Sequence, residues 1–416
     1  MNCLREFFFV LFLGINAILC AQQGHLIIAG GGLQEDNSEV FNEIVRLSGG
    51  RSATIGIIPA ASGSPVQSYE AFKKILMKYG LAENQIQLIR IASEDDNVTE
   101  EDEALWMNNA YDSSTCRRIR ECKGIWFSGG DQMRVTRVLL TSEGKDTPAL
   151  KAIRSVLFRG GMVGGTSAGA AIQSKVMIGG GTSIGALLYG VAEVYSEEDV
   201  DGRGKLFLGD GLGFFQEGIV DQHFDRRARL GRLTVALLHK KINIGVGIDE
   251  NTALVYNLKS CYATVIGKGG VSIVDVSSAE MQMHEALPEI RKCKISYLTS
   301  GDSVSFMNFT ITPASDKVYI VGKESNHISI MPSSGLLAGV GYTISSFIFT
   351  YLIDNKNLKS VSNITYTHDG WGYRMVFYID NTSYGFMADR SDEEKCSFGN
   401  VWFDLIPLII REIEIK

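Results

Sequence analysis

A serine, a histidine and a glutamate in three separate segments have the residue types that acyl transfer needs. Ser167 lies in the segment Gly164 to Ala170, between a short apolar strand and a helix-compatible stretch. Small residues around it let the backbone turn sharply and hold the hydroxyl at a helix N-terminus, as in a nucleophile elbow. The N–H of Ala168 would then point at a developing oxyanion. For this segment alone, a glycine-rich turn with an incidental serine is an equal alternative.

A nucleophilic serine needs a base within hydrogen-bond reach and an acid that fixes the base's tautomer. His223 follows a predicted strand at 218–220, and Glu250 lies just after the next one at 245–248. If these strands and the one before Ser167 share a parallel sheet, the three side chains lie at its carboxyl edge. They are then a candidate triad. A structural histidine and a strand-end carboxylate in an ion pair are the alternatives.

Apolar strands alternate with amphipathic helical segments, which predicts an α/β fold built on a doubly wound parallel sheet. The glycine run Gly30 to Gly32 lacks dinucleotide-fingerprint spacing, so we expect no NAD site. We expect a surface insertion at 183–210, a helix carrying Arg226 to Arg232, and a hairpin over 261–276. The strands are predicted at 25–29, 53–59, 85–91, 124–127, 161–163, 218–220 and 245–248, and the helices at 37–47, 69–79 and 133–140.

Helical periodicity mostly disappears near residue 290. Short β-type runs separated by polar turns follow, at 317–321, 342–351, 374–379 and 405–415. The sequence therefore predicts an α/β domain over residues 22–288 and a small β-rich C-terminal module over residues 289–416.

Residues 1–21 have the pattern of a secretory signal, with Arg5 before an apolar stretch that is too short for a transmembrane span. We expect cleavage after Ala21 and export to the periplasm or medium. A lipid anchor at Cys20 fits less well, because Leu19 is larger than the residue such a site prefers. In an oxidising compartment Cys116 and Cys122 could pair.

The formal charge of −7 provides no basic footprint for nucleic acid. The histidines are scattered and no Cys-x-x-Cys motif occurs, so no metal site is expected.

Four segments together resemble the cyanophycinases, in the serine peptidase family that also contains aspartyl dipeptidase. They occur in the family's order within residues 25–280. They are Ser128 to Gln132, Gly164 to Ala171, Ile219 to Phe224 with Arg227, Arg229, Gly231 and Arg232, and Gly245 to Leu254. The resemblance implies a fold like that of class I glutamine amidotransferases, whose elbow carries a cysteine. Ser167 argues against the amidotransferase reaction.

By position, the resemblance implies that Ser167 is the nucleophile, His223 the general base and Glu250 the orienting acid. Aspartyl dipeptidases place the acid differently, so a glutamate here favours the cyanophycinase branch. Ala168 and a glycine of the Gly129-Gly130 pair would supply the oxyanion-hole N–H groups. The implied substrate-pocket residues are Gln132, Asp221, Gln222, Arg227, Arg229 and Arg232.

The implied activity is exo-acting hydrolysis of cyanophycin, a poly-aspartate with arginine on each β-carboxyl, to β-Asp-Arg dipeptides through an acyl-enzyme. Arg227 and Arg229 could bind aspartyl carboxylates bidentately, and Asp221 or acidic loop residues could receive the substrate's guanidinium. A solvated helix face or a structural ion pair is the alternative for the arginines. No cofactor is implied, and the resemblance suggests a homodimer. Competing functions are a peptidase for short aspartyl peptides and a catalytically silent binding protein.

Overall fold

The computed structural model describes residues 23–97, 99–195, 204–320, 322–325, 331–339, 341–388 and 395–410. The predicted signal peptide, with Cys20, lies outside these residues. None of the helices in the described part of the chain is both long enough and apolar enough to cross a bilayer.

The first β-sheet contains nine strands within the described residues. In spatial order they are β16 (Thr310–Thr312), β15 (Ser303–Ser305), β11 (Tyr262–Gly267), β10 (Thr252–Asn257), β1 (His25–Ala29), β5 (Met162–Thr166), β4 (Gly124–Phe127), β2 (Ile55–Ile58) and β3 (Ile86–Leu88). Strands β1, β5, β4, β2 and β3 pair in parallel. The other four pair antiparallel and extend the sheet beyond β1.

Helices cover both faces of the parallel strands. Helices α1 (Ser38–Leu47) and α2 (Pro65–Lys78) pack on one face, and α3 (Ser113–Glu121), α4 (Gln132–Leu139) and α5 (Pro148–Phe158) on the other. Successive residues of a strand point to opposite faces, so Ile27 contributes to the first core and Leu26 and Ile28 to the second. In apolar runs such as Leu26–Ala29, the side chains on both faces of the sheet are therefore buried. The predicted doubly wound α/β fold is confirmed.

A second, mostly antiparallel sheet joins the C-terminal part to the core. In order it contains β17 (Val318–Tyr319), β20 (Tyr384–Met387), β21 (Cys396–Ile409), β14 (Leu287–Thr299), β12 (Gly270–Asp275), β9 (Ile244–Ile248) and β8 (Ile219–Gln222), with β13 (Glu280–His284), β18 (Ser360–Tyr366) and β19 (Trp371–Tyr378) beside it. The C-terminal part is β-rich, as predicted. The boundary placed between residues 288 and 289 falls inside β14, which pairs with β12 before it in the chain and with β21 after it.

The hairpin predicted over residues 261–276 is wrong. Strand β11 pairs with β10 in the first sheet, whereas β12 pairs with β9 and β14 in the second. The glycine turn between them carries the chain from one sheet to the other, with the N–H of Lys268 donating to the carbonyl of Asn251 at 3.0 Å. A local turn signal predicts the reversal but not the partner of each strand.

The stretch 183–210 was predicted as a surface insertion, but both of its ends are part of the fold. It begins with helix α7 (Ser183–Tyr189), in which Ala186 and Leu187 are buried, and ends with β7 (Phe207–Asp210), which pairs with β6 (Val176–Gly180). Residues 196–203, which include the acidic run Glu197 to Asp201, lie outside the described residues.

The β-type run predicted at 342–351 is helical instead. Helix α9 (Ile344–Ile348) continues into one π-helical turn, Phe349–Ile353. The side chain of Thr343 accepts a hydrogen bond from the N–H of Ser346 and so caps the helix. A short apolar run buried on most sides has no clear periodicity, which is why the pattern did not separate helix from strand.

Cys116 and Cys122 do not pair; both are buried free thiols. Cys116 lies in α3 and Cys122 directly follows that helix. Six residues along a helix bring side chains to different faces, so this spacing does not bring the two sulfurs together.

Candidate active site

Ser167 lies at a sharp turn between β5 and the short helix α6 (Ala168–Ala171). Its backbone has φ 55° and ψ −110°, a combination that non-glycine residues rarely adopt. Two glycines make this turn possible. A Cβ on Gly165 would lie 2.5 Å from the carbonyl oxygen of Gly169, and a Cβ on Gly169 would lie 2.6 Å from that of Phe127. Strand and helix therefore approach too closely for side chains at these two positions. Ser167 itself is half-buried and lies at the turn, in the lining of a cavity.

A continuous line of hydrogen bonds joins the three residues named as a candidate triad. Ser167 Oγ lies 2.8 Å from His223 Nε2, and His223 Nδ1 lies 2.6 Å from Glu250 Oε1. A carboxylate only accepts, so Nδ1 carries the proton and donates to Glu250. Nε2 is then the acceptor for the serine O–H. The geometry is that of a serine, a base and an orienting acid.

These three side chains come from two sheets, whereas the sequence predicted one. Ser167 follows β5 of the first sheet; His223 follows β8 and Glu250 follows β9 of the second. The sheets adjoin here, because the N–H of His223 donates to the carbonyl of Gly30 at 2.7 Å. Residues 249–251 form the turn by which the chain crosses from β9 to β10. The candidate acid therefore lies at the junction of the sheets.

The glycine run after β1, to which the sequence assigned no role, forms the floor beneath the imidazole. Gly31 has φ +105°, and a Cβ built on it would lie 2.3 Å from His223 Cε1. A Cβ on Gly32 would lie 3.3 Å from the Cβ of Glu250. Only glycine leaves room here for the histidine ring. Consecutive glycines directly after a strand, at the carboxyl edge of a parallel sheet, are the signal that could have placed this segment in the site.

The surroundings of His223 favour its neutral form. Burial lowers the pKa of His223 below its ordinary value of 6.5; Glu250 opposes this shift, while Arg227 and Arg229 reinforce it by repelling an imidazolium. The ring is therefore neutral at neutral pH, with Nε2 able to accept a proton.

Three backbone N–H groups belong to residues close to Ser167. Ala168 follows it directly, and a Cβ on Gly129 would lie 3.4 Å from the Cβ of Ser167. Among the hydrogen bonds between described residues, none uses the N–H of Gly129, Gly130 or Ala168. These are the three residues named from the sequence as oxyanion-hole donors.

A polar cavity of about 420 Å³ opens beside Ser167. Within the described residues, four of its lining side chains are arginines and one is a carboxylate, Asp131, so it favours anions. The lining is formed by Gly130, Asp131, Gln132, Arg134, Ser167, Gly179, Gly180, Gly181, Tyr195, Gln222, Arg227, Arg229 and Arg232. The sequence did not identify Arg134 or Tyr195, whose hydroxyl donates to Asp131 at 2.6 Å.

Asp221 lies beneath this cavity rather than in its wall. It is 1% exposed, and Arg232 Nε donates to its Oδ2 at 2.8 Å while the guanidinium also engages Oδ1. Burial alone would raise the pKa of Asp221, but Arg232 and Arg229 hold it below its ordinary value. The sequence-based suggestion that Asp221 receives a substrate guanidinium is therefore replaced: this carboxylate is the counter-ion of the pocket's own arginines.

Some arginines of the cavity are fixed by hydrogen bonds within the protein, whereas Arg227 is exposed. Helix α8 (Leu230–Lys240) begins only after Arg229, so of the run predicted as helical only Arg232 lies on it. Arg232 donates to Gly181 as well as to Asp221, and Arg229 Nη1 donates to the carbonyl and to Oε1 of Gln222. Arg227, by contrast, is an exposed cation of the lining.

Gln132 holds another wall of the cavity. Its Nε2 donates to the carbonyls of Ile178 and Gly179 at 2.8 and 2.9 Å. The amide thus fixes the end of β6 where that strand borders the pocket.

Two buried acids link the loops of His223 and Glu250 to the C-terminal part, and neither was identified from the sequence. Asp225 accepts hydrogen bonds from the N–H groups of Ile344 and Ser345 at the start of α9. Asp249 accepts from the hydroxyl of Tyr297 in β14 at 2.7 Å and from the N–H of Asp225 at 3.0 Å. Burial and the neighbouring Asp225 raise the pKa of Asp249 to about 8. The C-terminal part therefore braces both loops.

Comparison with known proteins points to one family. The sequence pattern of peptidase family S51 matches residues 26–262. The cyanophycinase of Synechococcus elongatus is 31% identical over 290 residues, covering 67% of this chain and 79% of that protein. The cyanophycinase of Geminocystis herdmanii is 32% identical over 262 residues, covering 62% and 83%. A crystal structure of a peptidase from an acI-B1 Actinobacterium has a TM-score of 0.46 and 20% identity, covering 69% of this chain and 98% of that one.

Proposed function

Because this chain belongs to peptidase family S51 and is a cyanophycinase-like serine peptidase, we propose that it hydrolyses cyanophycin to β-Asp-Arg dipeptides. From the signal pattern of residues 1–21 we also propose that it is exported. The observation that carries the proposal is the hydrogen-bonded line from Ser167 through His223 to Glu250 at the edge of an arginine-lined cavity. In the proposed roles Ser167 is the nucleophile, His223 the general base and Glu250 the orienting acid.

The proposed reaction proceeds through an acyl-enzyme. Nε2 of His223 takes the hydroxyl proton as Ser167 Oγ attacks the substrate carbonyl. N–H groups of Ala168 and of Gly129 or Gly130 would receive the oxyanion. When the tetrahedral intermediate collapses, the imidazolium returns its proton to the leaving nitrogen. Water then attacks the ester, again with His223 as base; the bond between the acyl carbon and Ser167 Oγ breaks, and the imidazolium returns the proton to Oγ. The nearby Glu250 carboxylate stabilises the imidazolium in both steps.

The arginines of the cavity can bind free carboxylates of the substrate. Guanidinium groups bind carboxylates bidentately, and Arg229 and Arg232 are already oriented by Gln222 and Asp221. Arg227 is the exposed member of the set and is the proposed first contact for a free substrate carboxylate, which in cyanophycin belongs to an attached arginine or to the end of the chain. The relatives named cyanophycinase make the polymer the first substrate to test.

Replacing Arg227 by glutamine should raise KM for cyanophycin about 10-fold, because one charge-assisted hydrogen bond to the substrate is lost. The neighbouring Arg226 is also exposed but does not line the cavity, so Arg226→Gln is the matched control and should change KM less than about 2-fold. Steady-state kinetics on both variants measures this. Equal KM values in the two variants would show that Arg227 does not contact the substrate in the cavity.

The pH profile should report His223. Its pKa is lowered, so the neutral base persists below pH 6.5 and kcat/KM should fall only as the pH drops through that lower value. Arg227→Gln removes a positive charge that disfavours the imidazolium, so the acidic limb should move to higher pH. Profiles of kcat/KM for the parent and this variant test the prediction. A limb centred above 6.5 in the parent would contradict it.

A direct comparison of substrates separates the polymer from the alternative, short aspartyl peptides. We expect kcat/KM to be higher for cyanophycin than for α-linked aspartyl dipeptides when both are supplied at the same molar concentration of chain ends. Efficient cleavage of the dipeptides with no release from the polymer would replace the proposed substrate but leave the serine peptidase chemistry intact. Export is tested separately, by determining whether the N-terminus of the mature protein begins after residue 21.

A further inference from the structure

A second cluster of carboxylates lies in the loop that follows β3. Asp95, Asp96 and Glu103 place one carboxylate oxygen each within 4.8 Å of the other two. Asp95 and Asp96 are half-buried, whereas Glu103 is fully buried. Like charges at this distance repel, and a shared proton or a bound cation would relieve the repulsion.

Glu103 provides an independent sign of a ligand. Its Oε1 accepts from the hydroxyl of Thr99, but its Oε2 is buried and, among the described residues, has no hydrogen-bond donor. The Asp95 carboxylate is within hydrogen-bond reach of the Glu103 side chain, but two ionised carboxylates can only accept. Buried polar atoms in folded proteins are almost always satisfied, and a buried carboxylate oxygen is costly to leave alone. The same side chain faces the oxygens of Asp95 and Asp96, where a cation would satisfy it.

Other contacts of the loop orient the cluster without neutralising Glu103. Asp96 Oδ2 accepts from the N–H of Val66 at the start of α2 at 2.9 Å, and Asp95 Oδ1 accepts from the N–H of Asn97 at 3.1 Å. Two nearby arginines pair with acids that flank the cluster: Arg90 with Glu101 at 3.1 Å and Arg134 with Glu94 at 3.3 Å.

We propose that Asp95, Asp96 and Glu103 bind a calcium ion. Hard oxygen donors in an irregular loop suit Ca²⁺, which accepts variable geometry, better than Mg²⁺, which prefers an octahedral shell of its own waters. The half-exposed positions of Asp95 and Asp96 leave access for water ligands. A site made only of oxygen ligands leaves no histidine or cysteine pattern, which is why the sequence predicted no metal.

The position of this site links it to the cavity. Arg134 lines the cavity and pairs with Glu94, the residue immediately before Asp95. A calcium ion would therefore fix the loop segment that holds one of the pocket arginines.

Isothermal titration calorimetry tests the proposal. CaCl2 is titrated into the full-length protein after treatment with EDTA. We expect one site with a Kd of about 10⁻⁴ to 10⁻³ M, and a rise in melting temperature of on the order of 3 °C at saturating calcium. Glu103→Gln should lose both responses. Glu100→Gln, an exposed acid of the same loop, is the matched control and should keep both.

A melting curve in EDTA keeps the test valid if a variant is unstable. Without calcium, Glu103→Gln and Asp95→Asn should melt at or above the temperature of the parent, because each removes one of three repelling charges. Absence of calcium binding by the parent, or unchanged binding by Glu103→Gln, would overturn the proposal. So would a parent whose stability responds to acidification but not to calcium, since shared protons would then hold the cluster.

Discussion

Replacing Ser167 by alanine should lower kcat about 10⁶-fold while leaving the fold intact. The hydroxyl oxygen is the only atom removed, and the strained turn that carries it is imposed by the close contact of Gly165 and Gly169 rather than by the serine side chain. Without Oγ, the proton acceptor at His223 Nε2 has no nucleophile to activate, so the acyl-enzyme cannot form.

Turnover of a soluble fragment of the polymer, measured beside the melting temperature, distinguishes a chemical from a structural effect. Ser277→Ala removes an exposed serine hydroxyl outside the cavity lining and should leave kcat unchanged. If Ser167→Ala kept more than about one per cent of the parent kcat, a direct attack by water would have to replace the acyl-enzyme mechanism.

Replacing Glu250 by glutamine should lower kcat about 10⁴-fold with little change in KM. Glutamine has nearly the same shape, but its amide offers an N–H as well as a carbonyl to His223 Nδ1. The imidazole can then adopt the tautomer with the proton on Nε2, where it cannot accept the serine proton. The 2.6 Å contact between Nδ1 and Oε1 is what fixes the productive tautomer.

Glu250→Asp provides the matched comparison, because it keeps the charge and shortens the side chain by one methylene. We expect it to retain more activity than Glu250→Gln although its carboxylate is displaced. Equal activity in the two variants would mean that Glu250 contributes by packing alone. The pH profile adds a second readout, since removing this carboxylate should lower the pKa of His223 further.

Much of the fold follows from local pattern. The strands at 25–29 and 124–127 are continuous apolar runs of the kind that a sheet covered on both faces requires, and the structure places them as β1 and β4. The turn at Ser167 could also be predicted from the sequence, because small residues on both sides of a serine are needed where strand and helix approach this closely.

What the sequence did not reveal depends on pairing across long distances. Nothing local to β8 and β9 shows that they join the C-terminal strands in a second sheet rather than extending the first. The roles of Asp221 and Asp225 were not evident from the sequence for the same reason. Each is an ordinary acid in the sequence, and only the fold brings Arg232 to the first and the start of α9 to the second.

The bracing of the candidate site also gives the C-terminal part a physical role. Asp225 lies two positions after His223, and Asp249 lies one position before Glu250. Their carboxylates accept hydrogen bonds from a backbone N–H and a hydroxyl of residues more than 45 positions later in the chain. The family pattern ends at residue 262. In this chain the loops that carry His223 and Glu250 therefore depend on a segment beyond that pattern.

The most direct measurement of the central proposal uses residues 22–416, with the Ser167→Ala variant alongside, incubated with insoluble cyanophycin. Soluble products are identified by mass and by their linkage. We expect the parent alone to release β-Asp-Arg dipeptides. Release of the same dipeptides by Ser167→Ala would contradict the proposed nucleophile, and no release by the folded parent would contradict the proposed substrate.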